Sequence, residues 1–177
     1  MRKEASGLRK AINLFLNEFL DKKVDRYQII NPREVVVGEW VRLKCQYGCV
    51  MVMLSVLPVF LILPGLKKTS RILEDFSLPC FCGKPEGYQD LRRICTDLER
   101  ALFLEGYYKA FAMPSGLCEL CGRYPCKYPC RYPERTRPSM EACGIGVYAT
   151  VRKFGFPVEV VRFRNCKANY YALCLIE

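Results

Sequence analysis

Apolar residues recur at helical spacing in three places along the chain. Over residues 6 to 22, Leu8, Ile12, Phe15 and Phe19 step by i, i+4, i+7 and i+11, with Arg9, Lys10, Asn13 and Asn17 between them. That pattern predicts an amphipathic helix laid on a core. From Glu86 to Met113, Leu91, Cys95, Leu98 and Leu102 form a second stripe, and Asp97, Glu99 and Arg100 lie on its outer face. A third helix is expected to begin near Pro138, whose ring suits a first helical position, with Met140, Cys143, Val147, Val151 and Phe154 as its stripe and Gly155 as its end. Strand patterns cover Arg26 to Ile30 and Glu34 to Val37, divided by Asn31-Pro32, and an extended piece is expected from Trp40 to Leu43. The tail predicts a hairpin of Val158 to Phe163 with Tyr170 to Ile176, turning through Asn165, Lys167 and Asn169. Helices and strands mix without a βαβ rhythm, so the expected class is α+β, a single domain over 1–177 with a small sheet and a cysteine-rich segment at 118–143.

One stretch breaks the amphipathic rule. Residues 45 to 66 carry no charge, and Val50 to Leu63 is apolar apart from Ser55 and Pro58. Its length admits a membrane span, but Pro58, Pro64, Gly48 and Gly65 interrupt it, and a buried strand pair would use the same residues.

Composition narrows the chemistry. The chain has 177 residues, 28 Lys+Arg against 18 Asp+Glu, 12 cysteines and no histidine. A chain of this length buries about 70% of its unfolded surface, enough for an ordinary core without disulfides. The lack of histidine removes Ser-His and Cys-His nucleophile pairs and every mixed Cys/His metal site, so a soft-metal site must be made of thiolates. The first 20 residues are broken by Arg9, Lys10, Asn13 and Asn17 before a secretory apolar core can form, which places the expected compartment in the cytoplasm, with no membrane partner. The net charge of +10 invites an anionic partner, although each metal-bound cysteine, as thiolate, removes one positive unit.

The strongest chemical signal is Cys118, Cys121, Cys126 and Cys130, followed by Cys143, in the spacing C-x2-C-x4-C-x3-C-x12-C. Two residues between cysteines let a chain turn so that both sulfurs face one ion or one cluster corner. Zinc and an iron–sulfur cluster both fit four thiolates. The loop repeats a basic-Tyr-Pro unit at Arg123-Tyr124-Pro125, Lys127-Tyr128-Pro129 and Arg131-Tyr132-Pro133, with Arg135 and Arg137 beyond. Its charge can offset an anionic cluster, or meet nucleic-acid phosphate while the tyrosines stack on bases. Cys95, on a buried helical stripe, reads as a small core residue, and Cys166 and Cys174 read as structural.

The segment from Cys130 to Arg152 resembles a family of predicted metal-binding proteins, the domain of unknown function 2284, and Val41 to Cys49, Glu105 to Phe111 and Asn169 to Glu177 fit the same family. The resemblance implies metal binding through cysteines, in a family found mainly in anaerobic archaea and bacteria, and no established reaction. Its cysteine loop falls on Cys118, Cys121, Cys126 and Cys130, with Cys143 as a further candidate ligand. An earlier motif falls on Cys45 and Cys49, a candidate second site. There the family continues to a Cys-Pro-Pro, whereas this chain runs from Val50 to Pro58 without a cysteine. A locally shifted reading frame over codons 49 to 83 would restore that motif and would turn Pro79 to Gly83 into an apolar strand sequence, so that Cys80 and Cys82 would not be ligands. Resequencing those codons tests it.

The expected function is a cysteine-ligated metal protein carrying a 4Fe-4S cluster for electron transfer or redox sensing, with an unidentified redox partner protein. Backbone N–H groups at the start of the Pro138 helix would help to balance the cluster's charge. The alternative is a zinc-stabilised module that presents a basic, tyrosine-bearing loop to nucleic acid. Enzymatic use of the metal needs an open coordination position and an acceptor such as Glu119, Glu134 or Glu141, and their spacing selects none.

Overall fold

The structure, a computed structural model, describes residues 2–48, 66–76, 79–85, 87–116, 118, 120–122, 129–163 and 166–176. The apolar run from Val50 to Leu63 lies outside them; among the described residues no helix is long and apolar enough to cross a membrane. The elements in chain order are helix α1 (Arg2–Leu20), strand β1 (Arg26–Ile29), a 3-10 turn (Pro32–Glu34), α2 (Glu39–Gly48), α3 (Leu66–Glu74), β2 (Cys80–Pro85), α4 (Tyr88–Leu104), β3 (Phe111–Pro114), α5 (Val147–Lys153) and β4 (Asn169–Leu175).

The four strands form one antiparallel sheet in the order β1-β2-β4-β3, an α+β arrangement. β4 is paired on both edges and buried on both faces, so from Tyr171 to Ile176 it reads as a continuous apolar run and not an alternation. Ala172, Cys174 and Ile176 meet a core built from Ile12, Leu16 and Leu20 of α1 and Leu91, Cys95, Leu98 and Leu102 of α4. Tyr171, Leu173 and Leu175 point the other way, against Ile30, Leu73, Met140, Ile145 and Val151. On the α1/α4 side the sheet offers mainly small side chains, Cys80, Cys82, Ala112, Ala172 and Cys174, which lets the helices lie close.

The helical stripe of α4 is buried as its periodicity requires, with Cys95 inside it. In α1 the fully buried positions are Ile12, Leu16 and Leu20, while Phe15 and Phe19 pack at the margin and stack on each other. Four expectations are corrected. Trp40 to Leu43 is helical, in the first turn of α2, and not extended. No helix starts at Pro138: Gly144, at φ +82°, ends the turn that follows Met140, and Ile145 bridges to Val37, so α5 starts only at Val147. The residues that would have lined the longer helix, Met140, Cys143, Val147 and Val151, are buried all the same. Finally, Val158 to Phe163 forms no strand with β4, whose edges β2 and β3 already occupy; Val160 and Phe163 are exposed. Glu34 to Val37 likewise forms no ladder beyond that single bridge. It is stitched to α5 by Gly146 N–H to Val36 O (2.8 Å), Val36 N–H to Thr150 Oγ1 (3.0 Å) and Lys153 Nζ to Glu34 O (3.2 Å).

Opposite Tyr171 the sheet needs a glycine. A Cβ at Gly83 would stand 2.7 Å from the Tyr171 ring, which is fixed by stacking on Phe156 and by its hydroxyl donating to Pro157 O. Gly83→Ala is therefore expected to cost about 1–3 kcal/mol by overpacking, read as a lower urea midpoint; an unchanged midpoint would mean that the ring moves freely.

Candidate metal centre

The cysteine-rich loop leaves β3 through Ser115 and Gly116, the latter at φ +75°, and returns to the core at Arg137. Its neck is closed from α4. Arg92, only 4% exposed, donates from Nη2 to Gly116 O (2.9 Å) and from Nη1 to Arg137 O (3.2 Å), so one guanidinium holds both ends of the loop. Two helical turns further, Glu99 receives Arg137 as a two-pronged pair, Nε to Oε2 at 2.8 Å and Nη2 to Oε1 at 2.5 Å. The same carboxylate accepts Ala112 N–H of β3 at 2.6 Å. The hydrogen bond to Glu99 raises the Arg137 pKa further, so this arginine stays charged and its charge is already matched. It is thus withdrawn from the basic set that sequence offers to an anionic partner.

Below the neck the thiols separate into three groups. Cys118 and Cys130 meet at Thr136, whose Oγ1 lies 3.3 Å from Cys130 Sγ and 3.9 Å from Cys118 Sγ. Tyr132 N–H adds a second contact to Cys130 Sγ at 3.4 Å. Cys118 is exposed, and Cys121 and Cys130 are half-buried. Cys121 lies in a turn whose next residue, Gly122, has φ +58° with open space around it, a backbone path that glycine takes without strain. Cys126 lies outside the described residues. Among the described residues, no three cysteine or acidic side chains stand close enough to hold an ion; the loop brings two sulfurs, those of Cys118 and Cys130, to one hydroxyl.

Cys143 belongs elsewhere. It is buried in the turn after Met140, its carbonyl accepts Thr69 Oγ1 at 2.9 Å, and its electrostatic neighbours are Arg42 and Cys45 of α2 together with Glu141. The start of α2 is tied to the same turn through Gly38 N–H to Gly144 O (2.9 Å). Cys143 thus lies on the Cys45 side, the region of the candidate second site; Cys49 is outside the described residues. No helix begins at Pro138 to direct N–H groups at the loop, and among the described loop residues the N–H of Tyr132 reaches Cys130 Sγ.

The third group is structural. Cys80, Cys82, Cys95 and Cys174 are 0–1% exposed in the core between the sheet and α4. Hydrogen bonding to Cys82 and burial hold the Cys80 thiol well above its ordinary range, and burial does the same for Cys95 and Cys174. Such thiols stay protonated in the metal-free chain. In the reading frame as written, Cys80 and Cys82 are strand residues facing α1 and α4.

Along the outer face of α4, beside the loop, runs an open cleft of about 900 Å³, bordered by Arg93, Asp97, Arg100, Phe103, Leu120 and Arg135. Leu120 lies between two of the loop cysteines, so a molecule in the cleft would abut the loop.

The family model of predicted metal-binding proteins, DUF2284, matches residues 66–176. The chain belongs to this family. The match contains Cys118, Cys121, Cys126, Cys130 and Cys143 and begins after the Val41 to Cys49 stretch. No curated protein and no solved structure matches the chain. Metal binding is therefore the family's described property, and the cysteine-rich loop is the part of the match whose chemistry suits it.

Two outcomes follow from this geometry. Arg92→Met keeps the side chain's length but strands two carbonyls; it is expected to cost about 2–4 kcal/mol and to speed tryptic cleavage after Arg131 and Arg135. Cleavage at the wild-type rate would show that the neck closes without Arg92. Burial pushes the Cys143 thiol up to about 11 from an ordinary value of 9.0. A raised thiol pKa favours the neutral form in the folded chain. The stabilisation is therefore complete below about pH 9 and is lost as pH rises through about 11, a change on the order of 2–3 kcal/mol. In metal-free protein, Cys143→Ala should lose less stability than wild type between about pH 8 and pH 11; equal losses would contradict the assignment.

Proposed function

We propose that this chain is an iron–sulfur protein whose 4Fe-4S cluster is held by Cys118, Cys121, Cys126 and Cys130 and serves electron transfer or redox sensing. The observation that carries the reading is the convergence of Cys118 and Cys130 on one hydroxyl, with a backbone N–H also directed at Cys130 Sγ. Sulfur atoms that receive hydrogen bonds from a preformed loop suit thiolate ligands, whose negative charge those donors offset. The donor set is all thiolate, as a chain without histidine requires. Four thiolates and a reducible cluster would supply one-electron chemistry. The protein's own part is to fix the loop by Arg92 and by Glu99 with Arg137, and to leave an open cleft through which a partner protein can approach. Cys143 and Cys45, with Cys49, are assigned to a separate second site and not to this cluster.

A zinc-stabilised nucleic-acid-binding module is the second reading, favoured by the exposure of Arg131, Tyr132 and Arg135 on one side of the loop. Metal content separates the two. Anaerobically purified protein is expected to hold about four iron and four sulfide per loop, with absorbance near roughly 400 nm that dithionite bleaches. Cys121→Ser should lose this metal, whereas Cys95→Ala should keep it. About one zinc without sulfide would replace the cluster with a structural ion and shift the function to salt-dependent RNA or DNA binding. Equal metal in the two variants would overturn the ligand assignment.

A further inference from the structure

The segment that follows Cys130 folds back on it. Arg135 N–H and Thr136 N–H both donate to Tyr132 O, at 3.1 and 2.9 Å, so residues 132 to 136 make a single helical turn. The turn brings Thr136 Oγ1 to 3.3 Å from Cys130 Sγ while Tyr132 N–H approaches the same sulfur at 3.4 Å. Its far end is clamped by the residue next in sequence. Arg137 Nη1 donates to Thr136 O (2.8 Å) and to Glu134 O (3.2 Å), while its Nε and Nη2 are held by Glu99. Thr136 is therefore a hydroxyl fixed from behind, half-buried, with its oxygen aimed between two cysteines.

From this arrangement we infer that Thr136 is a positioning residue of the metal centre, donating its hydroxyl proton to the Cys130 thiolate and setting how firmly that thiolate holds the metal. The inference rests on the loop being the metal site. A thiolate ligand carries its charge outward in lone pairs, and each hydrogen bond to them lowers the energy of those pairs. With Thr136 O–H and Tyr132 N–H both directed at it, Cys130 becomes the less basic, better-shielded ligand. Cys118, 3.9 Å from the same oxygen and exposed, receives the hydroxyl only when Cys130 does not. One proton shared between two sulfurs makes the pair unequal, with Cys130 the hydrogen-bonded thiolate and Cys118 the exposed one.

Cobalt(II) added to metal-stripped, reduced protein tests this, because its thiolate charge-transfer band reports both occupancy and sulfur donor energy. The variants are Thr136→Val, which keeps the shape and loses the proton, and Thr136→Ser, which keeps the proton. Thr136→Val is expected to weaken cobalt binding about 10-fold and to move the charge-transfer band to lower energy, with Thr136→Ser restoring both. A purely structural role for Thr136 would leave the band where it is. An unchanged band and affinity in Thr136→Val, or a Thr136→Ser variant that behaves like valine, overturns the inference while leaving the loop as the site. A wild-type protein without a thiolate band overturns the site and the inference together.

Discussion

The loop depends on one closed neck. Twenty residues separate Gly116 from Arg137, many of them cysteine, tyrosine, proline and basic side chains that have little apolar surface to bury. A loop of that kind pays its ordering entropy without a core of its own. What orders it is borrowed from α4: Arg92 joins its two ends, and Glu99 takes the guanidinium of the residue at its exit. Both partners are largely shielded from water, so their hydrogen bonds are strong and their loss would strand carbonyls and a carboxylate. α4 can do this because its opposite face is fully committed to the sheet. Leu91, Cys95, Leu98 and Leu102 anchor one side while Arg92 and Glu99, displaced around the helix, reach over the edge of β3.

The number of cysteines reflects two unrelated demands. In the core, Cys80, Cys82, Cys95 and Cys174 act with Ala112 and Ala172 as small residues that allow α1 and α4 to approach the sheet, and burial keeps the Cys95 and Cys174 thiols neutral. In the loop, Cys118, Cys121 and Cys130 are at least partly accessible, flanked by donors and by positive charge. A small apolar thiol and a thiolate ligand are the same residue in different dielectric surroundings, so the position in the fold, not the count, decides which chemistry is available. Cys143 stands between the categories: buried like the first group, yet next to Arg42 and Cys45, which link it to α2.

Much of this was legible in residue order, and the failures share a cause. α4 and α1 follow from apolar spacing because a helix contacting the sheet repeats the same face at every turn. Cys95 was correctly read as core on that basis. Trp40 to Leu43 is a short, mainly apolar piece too brief to show a helical period, but Gly38, whose carbonyl accepts Val41 N–H at 3.2 Å, starts a helix there that buries Val41 and leaves Trp40 and Leu43 exposed. The stripe from Met140 to Phe154 is genuine, but Gly144 and Gly146 lie inside it; the first takes a left-handed conformation and the second pairs with Val36, so the stripe is served by a turn, a bridge and a short helix. The tail hairpin failed differently. Local alternation in Val158 to Phe163 competes with β2 and β3 for the edges of β4, and partners distant in sequence won both. Pairing rank among strands is a property of the whole sheet and leaves no mark in the local pattern.

The same reasoning explains why the structure places Cys143 apart from the loop thiols. Thirteen positions after Cys130 it looks in sequence like the next ligand in a series, but the turn of residues 132 to 136 and the Glu99 pair fix the loop exit at Arg137, and the chain then enters the core through Met140. A cysteine beyond that point is tied to Gly38, Thr69 and α2 instead. The Glu99–Arg137 pair thus acts as a divider as well as a clamp, separating Cys118, Cys121 and Cys130 on the loop from Cys143, which is buried beside α2. On the proposed assignment, Thr136 is the last loop side chain placed to influence a metal at Cys118 and Cys130.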